Sequence, residues 1–133
     1  MPPDKFDNVA RMRAFVTQVQ EQGHLELFDQ FVHPDFRDHP VKIGQPNDRF
    51  AIRKTLEGFH AAFADIKVQV LHCIENDGVV ATNKILSGKL VQEWHGMMPD
   101  GGRVEVRVMD FVRFHDGKMI EHWAAVNPLA SEV

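Results

Sequence analysis

The hydrophobic period changes once along the chain, near Asp65, and that change narrows the fold more than any other feature. Before it, Val9, Met12, Phe15, Val16 and Val19 recur at helical spacing. Leu27, Phe28 and Phe31 mark a shorter helix, and Ile52, Leu56, Phe59 and Phe63 a third. Asp4 and Asp48 are placed to cap the first and third helices, and Gly23 to end the first. The segment from Pro34 to Pro46 reads as loop, with room for a short strand at Phe36–His39. After Asp65 the period is two. Strands are predicted from Ile66 to Ile74, from Val79 toward Trp94, from Val104 to Phe114 and from Met119 to Val126. Turn chemistry separates them: Asn76-Asp77-Gly78, Pro99-Asp100-Gly101-Gly102 and His115-Asp116-Gly117. Helices followed by a run of antiparallel strands give an α+β domain with the helices on one face of the sheet.

Size and charge set the outer bounds. The chain has 133 residues, enough for one domain (residues 1–133) with a sizeable core. Its net charge of −4 gives no electrostatic footprint for nucleic acid or an anionic membrane surface. Cys73 is the single cysteine, so no intrachain disulfide can form and a reducing compartment fits. No apolar run approaches the roughly 20 residues of a membrane span. The start, MPPDKFDN, lacks signal-peptide character, so the expected location is cytoplasmic.

The last hairpin places two polar side chains. Val104, Val106, Val108, Asp110, Val112 and Phe114 share one strand face, and Ile120, His122, Ala124 and Val126 share another. A two-residue Asp-Gly loop would put these sets on opposite sides of the sheet. A three-residue loop, with Gly117 left-handed, puts both on one side and sets Asp110 opposite His122. Directly opposed Cβ atoms lie about 4.5–5.5 Å apart, so carboxylate and imidazole can touch. The bland use of such a pair is mutual hydrogen bonding. Burial of ionic groups is costly, however, and a polar pair on a core face points to chemistry or to a ligand. Burial should raise the pKa of Asp110 and a protonated His122 should lower it, so the two should titrate as a unit.

FVHPDFRDHP, the run GQPNDRFAIRKTLEGFHAAFADIKVQV, the turn PDGGRVEV and the ending MDFVRFHDGKMIEHW carry a resemblance. With these segments the chain resembles the SnoaL-like polyketide cyclases (ester cyclases) of the nuclear transport factor two-like superfamily. The resemblance implies a cone: a strongly bent antiparallel sheet with about three helices across its concave face, enclosing a pocket. It places Asp38 and His122 in that pocket, and Asp110 where relatives carry His or Asp. It also makes Trp94 and Met97 part of the rim. The cyclases have an acid/base aspartate two residues after the pocket histidine, where this chain has Ala124.

Other uses of the polar residues are weaker. The eight histidines show no metal-ligand spacing, so no metal site is expected. His72 alternates with Val70 and Ile74 and fits a core histidine bonded to backbone. Isomerases sharing the cone need a tyrosine hydroxyl, and the chain has no tyrosine. Arg107 and Arg113 fall on the outer face in this register.

Two readings follow. The first is a cyclase-type enzyme without cofactor, moving a proton next to a carbonyl of a small apolar substrate, as in aldol cyclisation or isomerisation. Asp110 is then the base, His122 orients it or returns the proton, and Asp38, Phe15, Phe59, Phe63, Trp94 and Met97 bind the substrate. The second, favoured by Ala124, is a non-catalytic protein of the same fold that binds a hydrophobic small molecule. In both, Met109, Phe111 and Trp123, with Met119 and Ala125 beside them, load the outer face with apolar surface. That implies a homodimer packed sheet to sheet.

Overall fold

The structure, a computed structural model, describes residues 6–39 and 44–129. Helix α1, Asn8–Phe15, starts on Asp7, whose side chain accepts from the Ala10 amide at 3.0 Å. Asp4, the cap expected from the sequence, lies outside the described residues. The helix continues as a π-helical turn, Val16–Glu21, in which the Gln22 amide reaches back to the Thr17 carbonyl. A 3-10 turn, Leu25–Leu27, leads into the short helix α2, Phe28–Phe31. Helix α3, Arg49–Ala62, is capped as expected by Asp48, which accepts from the Ala51 amide at 3.1 Å.

Five strands follow the order β1-β5-β4-β3-β2 in one curved sheet. They are β1 (Val32–His39), β2 (Phe63–Asn76), β3 (Val79–Leu90), β4 (Arg103–His115) and β5 (Lys118–Leu129). The expectation of an all-antiparallel sheet is corrected: β1 is longer than Phe36–His39 and pairs parallel to β5 at the sheet edge. The α+β class and the packing of helices on one face hold. Met12, Phe15, Val19, Phe28, Phe31, Phe36, Val80 and Val112 fill the main core. Each such side chain contributes about 1.5–3 kcal/mol by leaving water. A second cluster gathers Phe59, Phe63, Leu86 and Leu90 where α3 meets the sheet. Gly88 lies in this corner because a Cβ there would stand 3.1 Å from the Phe63 ring and 3.2 Å from the Ala64 carbonyl.

Two bulges decide which side chains face inward. In the β4–β5 hairpin, Asp116 and Gly117 both take positive φ, so the turn has two residues, not the expected three. His115 pairs with Lys118 and Phe114 with Met119, which makes Met119 a core residue and not a member of the outer face. Ile120 is then the extra residue of a bulge, after which Arg113 pairs with Glu121 and Val112 with His122. The bulge restores the parity that the turn alone would have broken. Asp110 and His122 share the inner face as expected, but Asp110 stands directly opposite Ala124. In β2 a bulge at Leu71 sends His72 outward, where its ring meets the Asn83 amide at 3.2 Å, and turns Cys73 toward the core. The histidine bonded to backbone is instead His60, partly buried, on the Val19 carbonyl at 2.9 Å. No helix among the described residues is long and apolar enough to cross a membrane.

Candidate active site

A cavity of about 170 Å³ opens between α1, α3 and the inner sheet face. Its wall is apolar over most of its extent: Met12, Phe15, Phe36, Leu56, Phe59, Leu86, Trp94, Val106 and Val108. Its polar lining is Gln20, Thr55, Asp110 and His122. Of the aromatic residues expected from the sequence, Phe15, Phe59 and Trp94 line it. Phe63 lies behind, its ring 5.0 Å from Phe59 and 5.1 Å from Trp94. Met97 pairs with Trp94 through two backbone hydrogen bonds and packs on the second cluster without reaching the cavity wall.

His122 joins two carboxylates. Its Nε2 lies 3.3 Å from Asp110 Oδ2 and its Nδ1 lies 2.7 Å from Asp38 Oδ1. The second contact follows from topology, since Asp38 on β1 is the parallel register partner of His122 on β5. Asp38 is therefore joined to the histidine and is not part of the cavity lining. Asp110 is 4% exposed and accepts from the Thr82 hydroxyl directly across β3–β4. Behind it stands Lys84, fully buried, with Nζ 3.2 Å from Asp110 Oδ2 and 3.0 Å from Gln20 Oε1.

Lys84 was not singled out from the sequence. The available signal is its place on the inward face of β3, in the alternation Val80, Thr82, Lys84, Leu86. A lysine at such a position needs an acid opposite, and Asp110 is the acid on the neighbouring strand.

These contacts set the charges. Burial pushes the Asp110 carboxyl up, but the Lys84 charge, then the bond and charge of His122 and the Thr82 hydroxyl, bring it down to about 2. Burial also disfavours the charged His122 ring. Its bonds to Asp110 and Asp38, and their charges, overcome this and raise it to about 9. Near neutral pH the site therefore holds an imidazolium between two carboxylates, with an ammonium behind. Cys73 is raised, chiefly by burial, and has no thiolate character to offer.

The other histidines are dispersed. His39 meets Glu121 at 2.9 Å and stacks on Trp123; His33 packs on His115. Among the described residues no three His, Cys, Asp or Glu side chains are arranged to hold a metal ion.

The curved sheet, with its helices on the inner face, closes over this ionic cluster. Residues 10–132 match the SnoaL-like polyketide cyclase family, and the chain belongs to it. Among solved structures it is similar to wild-type IdmH from Streptomyces antibioticus, with 22% identity over 92% of this chain and 93% of that one and a TM-score of 0.78. TsrD from Streptomyces laurentii gives 18% identity, coverage of 89% and 86%, and a TM-score of 0.78. A SnoaL-like polyketide cyclase from Agrobacterium tumefaciens gives 15% identity, coverage of 90% and 91%, and a TM-score of 0.75. At these identities the likeness concerns the fold. No curated protein matches the chain by sequence.

Proposed function

We propose that the protein is a cyclase-type enzyme that moves a proton next to a carbonyl of a small, largely apolar substrate and needs no cofactor for the step. The observation that carries this reading is His122 bridging Asp38 and Asp110 at the polar end of an apolar cavity. Family membership supports it.

The chemistry closes on itself. Asp110 takes the proton from the carbon beside a carbonyl, breaking the C–H bond and leaving an enolate. The enolate carbon attacks a second carbonyl of the same molecule, forming the ring bond and an alkoxide. His122 gives its Nε2 proton to that alkoxide. The proton held by Asp110 then crosses the 3.3 Å contact to His122, and both groups are restored. In an isomerisation, His122 protonates a different carbon of the enolate. Asp38 keeps the imidazole in place throughout, which replaces the substrate-binding role expected for it from the sequence. The weak basicity of Asp110 favours a carbon that is already acidic, such as one flanked by two activating groups. The proposal extends to a homodimer formed through the outer sheet face around Phe111 and Trp123.

Deuterium exchange at C1 of 2-tetralone in heavy water, followed by NMR, tests the reading with a small apolar ketone whose benzylic α-carbon is acidic. The protein should accelerate exchange, and Asp110→Asn should lower the rate about 100-fold or more. A protein that binds 2-tetralone, seen as a raised melting temperature, without accelerating exchange is the hydrophobic binder and not the enzyme.

A further inference from the structure

Gln20 lines the cavity from the π-helical turn after α1, and its amide has only one possible orientation. Lys84 Nζ, 3.0 Å away, carries donors alone, so the amide oxygen must face it. The Nε2 group is then turned away from the ammonium and makes no hydrogen bond to any described residue. In the resting site the other polar groups of the cavity have their protons engaged, and the His122 Nε2 proton is held by Asp110 until the alkoxide forms. Asp110 is an acceptor, both ring nitrogens of His122 face carboxylates, and the Thr55 hydroxyl donates to the Ala51 carbonyl at 3.1 Å. Trp94 keeps an indole N–H, but it sits among Phe59 and Phe63 and not in the ionic group.

We infer that Gln20 is the substrate-binding residue that receives the carbonyl oxygen, through an Nε2 donor fixed by Lys84, and that the ligand is a ketone with its oxygen toward α1 and its α-carbon toward Asp110. One ammonium joins the two side chains, bonding Gln20 Oε1 on one side and Asp110 Oδ2 on the other. The amide and the base are thereby held at the same end of the cavity. The ammonium on Oε1 also polarises the amide and strengthens its N–H as a donor, most of all toward an oxygen gaining negative charge. Lys84 is a positioning residue in this arrangement, since it does not line the cavity. The inference deepens the proposed function and rests on its pocket, but not on catalysis.

The test uses bound 2-tetralone, with tetralin, which lacks the oxygen, as the control. In the wild-type protein the infrared carbonyl stretch of 2-tetralone should fall below its position in hexane. Gln20→Met should return it toward the hexane value and weaken 2-tetralone about fivefold to tenfold, with tetralin binding unchanged. Gln20→Glu retains a partner for Lys84 while removing the donor, so it should act on the stretch in the same direction and guards against a folding defect. Trp94→Phe should leave the stretch shifted. A shifted stretch in both Gln20 variants, its loss in Trp94→Phe, or a wild-type stretch equal to that in hexane would overturn the assignment. Deuterium exchange reports separately: a protein with the Gln20-dependent shift and no exchange keeps this site and loses the enzyme.

Discussion

Asp38 and His122 lie side by side on the only parallel strand pair among the described residues, with Oδ1 of one 2.7 Å from Nδ1 of the other. This contact fixes the ring, because the nitrogen that serves Asp38 leaves Nε2 for Asp110 and the cavity. Asp38→Asn keeps the shape and removes one of the two charges that raise the His122 pKa. The His122 titration, followed by NMR of the ring protons, should move down from about 9. Exchange of 2-tetralone should slow with little change in its affinity. An unmoved titration would mean that Asp110 alone holds the imidazolium.

Stability should follow the same charges. His122 titrates near 6.5 when unfolded and about 9 when folded, so the folded state holds its proton more tightly. Its contribution is complete below about pH 6.5 and is lost as pH rises through 9. Asp110 shifts the other way, from 3.8 to about 2, so its contribution is present above about pH 3.8 and lost as pH falls toward 2. Thermal unfolding should give a plateau between these limits, with an alkaline decline worth on the order of 3 kcal/mol. In His122→Gln that alkaline decline should be absent.

Lys84 is the strongest structural commitment of the site, with no exposure and two oxygen partners. Lys84→Met retains the length and removes the charge. Losing one partner of a buried ion set typically costs about 3–5 kcal/mol, and a large fall in melting temperature is expected. Asp110 should also titrate higher, since the Lys84 charge is the main influence bringing its pKa down. The Asp110 carboxyl carbon, observed by NMR, distinguishes this effect from a general loss of stability.

The sequence reveals the face each strand turns inward more readily than the device that sets it. Val104 to Phe114 alternate cleanly, so Asp110 stands out as the polar member of an apolar face. The Ile120 bulge has no such mark, and the three-residue loop expected in its place reached the right parity by the wrong route. At Leu71 the same blindness reversed His72, because the sequence alternation runs on through a bulge that the backbone does not ignore. Lys84 was visible as a pattern but is discounted by the ordinary preference of lysine for solvent. Gln20 depends on a π turn, which shifts the helical face by part of a turn and leaves no signature in the hydrophobic period.

The outer sheet face remains open in a single chain. Ile74, Phe111 and Met109 are 67%, 56% and 48% exposed on it. Trp123 is shielded by the His39 ring and by the Arg113 guanidinium 5.9 Å from its centroid. Phe111 is its direct cross-strand neighbour. Sedimentation at micromolar concentration should show a dimer, and Phe111→Lys should shift it to monomer without changing the melting temperature of the isolated chain greatly. A wild-type monomer would remove the sheet-to-sheet dimer.

Ala124 offers the most direct trial of the acid/base assignment. It lines the cavity directly opposite Asp110 across β4–β5. Ala124→Asp therefore places a second carboxylate next to the first, at the position where the family resemblance leads one to expect an acid. Two like charges at that separation oppose each other's ionisation, so one of the two should titrate well above the present Asp110. A stronger base at the same end of the cavity should speed removal of the 2-tetralone C1 proton, provided His122 stays protonated between its partners. The expected outcome is exchange faster than wild type, with its pH dependence shifted upward by the new carboxylate. The added residue must fit where a methyl group now sits, so the melting temperature should fall by a few degrees. If the variant folds, binds 2-tetralone and exchanges no faster, carboxylate basicity does not set the rate at this site, and a rate unchanged in Asp110→Asn as well would make Asp110 a counter-ion for Lys84 and His122 instead of the group that takes the proton.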